Sequence, residues 1–73
     1  MKLKETAIEF IEAKCNVMKN ESSRDVVGEE VNDVLTFEGR MYNIWIQAFW
    51  EKSDWYEATV TGHGTDLKFC DEF

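Results

Sequence analysis

The hydrophobic period of this chain changes once, from 3.6 to 2, and that change restricts it to a helix followed by a sheet. Over residues 3–19, Leu3, Ala7, Ile8, Phe10, Ile11, Cys15, Val17 and Met18 fall on one arc of a helical wheel. Glu5, Glu9, Glu12 and Asn16 fall opposite. Lys14 intrudes on the apolar arc, where its stem can pack while its ammonium reaches water. Asn20 and then Ser22-Ser23 end the pattern. From Asp33 onward the alternation is that of strands, at 33–38, 41–50, 55–61 and 66–70. Gly39, the run Glu51-Lys52-Ser53-Asp54 and the run Gly62-His63-Gly64 separate them. Connections this short permit only a sequential antiparallel meander. The absence of proline leaves every strand free to lie inside the sheet.

Residues 22–33 are the ambiguous stretch, most of it within an acidic linker over about 20–32. Val27, Val31 and Val34 have helical spacing, and Ser22 or Ser23 could cap a second helix. Gly28 and the β-branched valines oppose that. The stretch reads as an acidic linker with one helical turn.

Parity then sorts the strands into faces. The second strand puts Tyr42, Ile44, Ile46, Ala48 and Trp50 on one side, and a two-residue turn at Gly39 adds Leu35 and Phe37. Tyr56, Ala58 and Val60 join them only if the second loop has an odd count, three or five residues. A His63-Gly64 turn pairs Val60 with Leu67 and Ala58 with Phe69. That side takes the helix. The expected fold is α+β, with residues 1–73 forming one two-layer domain.

The same parity leaves Val34, Met41, Trp45, Phe49 and Trp55 on the other side, among polar residues that include Glu57. Contiguous apolar area on a wet face marks interaction sites, and Trp is a frequent interface anchor. The alternative is that the segment 21–33 folds back over the rings to make a second small core. A chain of 73 residues also buries little core, and oligomerisation is a usual supplement. The expectation is therefore an interface, with a homodimer as its first form.

Charge narrows the partners. The formal net charge is −7, which opposes direct binding to nucleic acid or an anionic membrane. Glu21, Asp25, Glu29, Glu30, Asp33 and Glu38 stand against Arg24 alone, an acidic patch suited to a basic partner. Cys15 and Cys70 are too few and too far apart for a disulfide framework, which favours the reducing cytoplasm. Charges interrupt the N-terminal segment, so it reads as neither signal peptide nor membrane span.

Catalytic chemistry finds little support. His63, the one histidine, lies between two glycines at a hairpin apex without a positioned partner. Gly62-x-Gly64 joins two strands, whereas phosphate loops lead into a helix. No cofactor or metal set is apparent. In size, charge and absence of catalytic motif, the chain is similar to the small acidic proteins that phages and mobile elements encode to bind host proteins. These include anti-CRISPR and DNA-mimic inhibitors. The similarity covers no motif, so it carries over no functional residues. These features favour a non-enzymatic protein–protein interaction module. The alternative is a small-molecule binder or small enzyme with a pocket near His63 or Glu57.

Overall fold

The computed structural model describes residues 2–73 as one helix followed by four antiparallel strands in one open sheet. Helix α1 spans Leu3–Glu21; strands β1 to β4 span Gly28–Phe37, Arg40–Phe49, Trp55–Gly62 and Thr65–Glu72. The strands are neighbours in chain order, β1-β2-β3-β4. Two tight turns make the outer hairpins. Glu38 and Gly39 have φ of 49° and 77°, and His63 and Gly64 have 52° and 76°. These are type I′ turns, whose twist matches that of the strands they join. Between β2 and β3, Phe49 pairs with Trp55 and leaves residues 50–54 as the loop, the odd count that parity required.

Register follows from those turns. Val60 pairs with Leu67 and Ala58 with Phe69, so the aliphatic positions of all strands collect on one side. Helix α1 lies on that side, against β1, β2 and β3. Its Ala7, Ile11, Cys15 and Met18 are buried on Leu35, Tyr42, Ile44, Ile46, Ala48, Tyr56, Ala58 and Val60. Among the described residues, no charged or other polar side chain is buried with them. Each fully buried isoleucine contributes about 2 kcal/mol through the area it removes from water.

Most element boundaries differ from the sequence reading, by one or two residues except at the start of the first strand. The first strand begins at Gly28, not at 33, and the linker shrinks to residues 22–27. Glu38 belongs to the turn, and the helix and last strand each end two residues later. The cause is tertiary. β2 is ten residues long, and β1 pairs with all of it, from Gly28 opposite Phe49 to Phe37 opposite Arg40. Sheet pairing therefore overrides the weak strand propensity of Gly28-Glu29-Glu30. Asp33 is tolerated on the helix side because Lys14 reaches it at 3.2 Å.

Trp50 falls just beyond β2, still packs against the core as expected, and anchors the linker as well. Its backbone N–H donates to the Val27 carbonyl at 2.9 Å, and its indole N–H to the Val26 carbonyl at 2.7 Å. At the helix end, Lys19 donates to both carboxylate oxygens of Asp54 at 2.8 Å. The linker is thus pinned beside Trp50.

Burial leaves its mark on two ionisable groups in the core. Desolvation, assisted by Glu12, pushes the Cys15 thiol from 9.0 up to about 11. Desolvation, then Glu12 and Asp71, pushes Tyr56 from 10.0 up to about 12. Both groups are raised, so their stabilisation is complete below the unfolded values and declines as pH rises through the folded ones. Stability measured by urea unfolding should therefore fall from about pH 9 upward. Cys15→Ala should flatten the first part of that fall, between about pH 9 and 10, leaving the Tyr56 part.

Candidate functional site

The side of the sheet away from the helix is built by the same alternation. Phe49 and Trp55 are directly opposite one another, and their rings stack at 4.3 Å with an interplanar angle of 18°. Such a pair contributes about 1 kcal/mol beyond its burial. On its other flank Phe49 faces Gly28. A Cβ at Gly28 would lie 2.8 Å from the Ala48 carbonyl oxygen and 3.7 Å from Cδ1 of Phe49. Bare backbone at this position is what the Ala48 carbonyl requires; the ring itself would meet a Cβ at ordinary contact distance.

Trp45 occupies the middle of the face. Its indole N–H donates to Oε2 of Glu30 at 2.8 Å, diagonally across the β1–β2 ladder. On its other side is an open depression of about 340 Å³, lined chiefly by Trp45, Glu57, Thr59, Lys68 and Cys70. Farther along, Val34 is 42% and Met41 66% exposed, so this part of the face is open to solvent. The sheet therefore presents half-buried aromatics at one end and open aliphatics at the other. The linker does not cover them, because Trp50 holds it and Val26 and Val27 stay exposed themselves.

The acidic residues grouped by the sequence are dispersed by the fold. Glu21 ends α1, Asp25 lies in the linker and Glu38 in the first hairpin turn. Glu29 and Glu30, as neighbours in β1, point to opposite faces. Asp33 faces the helix; the Val34 N–H and then Lys14 hold its carboxyl below the ordinary value. Only Glu30 of the six joins the aromatic face. Sequence reasoning placed it in the linker, although parity counted back from Leu35 would have found it.

His63 and Glu57 do not converge. His63 is exposed at the hairpin apex with its ring edge-on to Tyr42 at 5.2 Å. Glu57 lies about 20 Å down β3 at the rise of a strand. Cys15 is buried and Cys70 exposed, on opposite sides of the sheet, and both are free thiols. Among the described residues no three His, Cys, Asp or Glu side chains cluster to hold a metal, and no helix is long and apolar enough to cross a membrane.

A second depression, of about 270 Å³, runs between α1 and β1 beside Phe10 and Val17, next to the Lys14–Asp33 ion pair. It offers apolar contact and no free polar group beyond that pair.

Compared with models of known families, with curated proteins and with solved structures, the chain matches none. The close approach of β1 to β2 at the aromatic end of the outer face can be tested by Gly28→Ala, which should cost about 1–3 kcal/mol in urea unfolding as the new methyl meets the Ala48 carbonyl. Unchanged stability would show that Gly28 does not lie against the Ala48 carbonyl.

Proposed function

We propose that this chain is a non-enzymatic protein-interaction module that binds a basic partner through the outer sheet face. The observation that carries the reading is the indole of Trp45 held by one carboxylate, Glu30, and flanked by another, Glu57. An aromatic face bordered by acids suits an arginine or lysine side chain, which gains cation–π attraction and a charged hydrogen bond together. Stacked Phe49 and Trp55 supply a rigid apolar neighbour. Interfaces take most of their binding energy from a few such anchors.

Charge also weighs between partners for this face. By strand parity it carries Glu30, Glu57, Asp66 and Glu72 against Lys68 alone. Two copies placed face to face would set acid against acid, so a basic surface fits better here than a second copy. Nucleic acid and anionic membrane are disfavoured by the net charge of −7. An inhibitor-type protein acting in the cytoplasm, of the kind phages and mobile elements encode, is the setting that suits this reading.

The test is affinity capture from host extract with wild type, Trp45→Ala and the double variant Glu30→Gln, Glu57→Gln. Wild type should retain a basic protein that elutes as salt screens the contact. Both variants should lose it by tenfold or more while remaining folded. Equal retention by all three, or retention indifferent to salt, would reject the outer face as the basic-partner site.

A further inference from the structure

We propose that the free edge of β4 pairs with the β4 edge of a second copy, giving a two-fold dimer with one continuous eight-stranded sheet. Such pairing is independent of the outer-face reading and leaves that face open. β4 is an outermost strand, and the helix lies over the other three. Leu67 and Phe69 consequently remain only partly buried on the helix side. Phe73 N–H donates to the Asp54 carbonyl at 3.2 Å, so the odd-numbered residues of this segment direct their backbone bonds toward β3. The type I′ closure at Gly62 and Thr65 gives the same phase. Lys68, Cys70 and their even-numbered neighbours therefore aim their N–H and C=O groups outward. An open edge of this kind is a template for another strand.

Charge selects the occupant and the register. A lysine in mid-edge ordinarily discourages pairing, because in the register centred on itself it meets its own copy. Centring the two-fold on Leu67 removes that conflict. Lys68 then lies opposite the partner's Asp66, twice by symmetry, and Leu67 meets the partner's Leu67 with Phe69 alongside. Centring on Phe69 would oppose Asp66 to Glu72, and centring on Asp71 would oppose it to itself. Centring on Cys70 satisfies Lys68 with Glu72 but sets Phe69 against Asp71. The other edge fits a second copy less well, since β1 carries Glu29, Glu30 and Asp33 with no cation.

Sedimentation equilibrium of the full chain tests the proposal. Wild type should be a dimer at tens of micromolar. Lys68→Pro removes only an outward-facing donor, so it should stay folded by circular dichroism and become monomeric. Asp66→Lys should weaken the dimer at least tenfold, and Asp66→Lys with Lys68→Asp should restore it. In a Cys70→Ser background, Leu67→Cys should form a disulfide-linked dimer on mild oxidation, because facing positions of a non-hydrogen-bonded pair lie close. A monomeric wild type, or a Lys68→Pro or Asp66→Lys chain that dimerises as wild type does, would overturn the proposal. Two further results would overturn the Leu67-centred seam. One is failure of the charge swap to restore the dimer. The other is readier cross-linking of wild type, through Cys70, than of the Leu67→Cys variant.

Discussion

Strand β2 hydrogen-bonds to β1 along one side and β3 along the other, and its alternation decides what every neighbouring residue faces. Tyr42, Ile44, Ile46 and Ala48 are buried against the helix, while Met41, Trp45 and Phe49 emerge on the reverse. A slip of one residue would exchange the two sets and leave the helix lying on Asn43 and Gln47. The two type I′ turns and the odd loop at residues 50–54 transmit this phase to the other strands. Burial and exposed surface are thus two readings of one register.

Most of the sheet was legible because its inner positions from Leu35 to Phe69 are apolar apart from Arg40 and the Gly62–Thr65 pair beside the hairpin turns. The early half of β1 was not, for a physical reason. An edge strand needs to satisfy only one neighbour, and β1 leaves Glu29 exposed and Asp33 half-buried, so both can occupy inner positions that a central strand would reject. Lys14 then compensates Asp33 at 3.2 Å, an arrangement no local pattern announces. One signal was present: a ten-residue β2 needs a ten-residue partner, and the stretch before Asp33 was the chain at hand to supply it.

The candidate site was legible in the same unequal way. Trp45, Phe49 and Trp55 follow from parity, and their clustering is a cross-strand consequence. Glu30 was hidden by the mistaken linker, and with it the hydrogen bond that orients Trp45. Its place beside Trp45 adds a carboxylate to the outer face, the feature on which the proposed basic partner rests.

The two faces and the free edges all depend on the phase of the ladders, and amide hydrogen exchange resolved by residue reports that phase directly. In β1 the amides of Val31, Asp33 and Leu35 donate toward β2, whereas Glu30, Asn32 and Thr36 face the open edge. Slow exchange is predicted for the first three and near-free exchange for the others. The reverse alternation, or uniform protection along β1, would contradict this register.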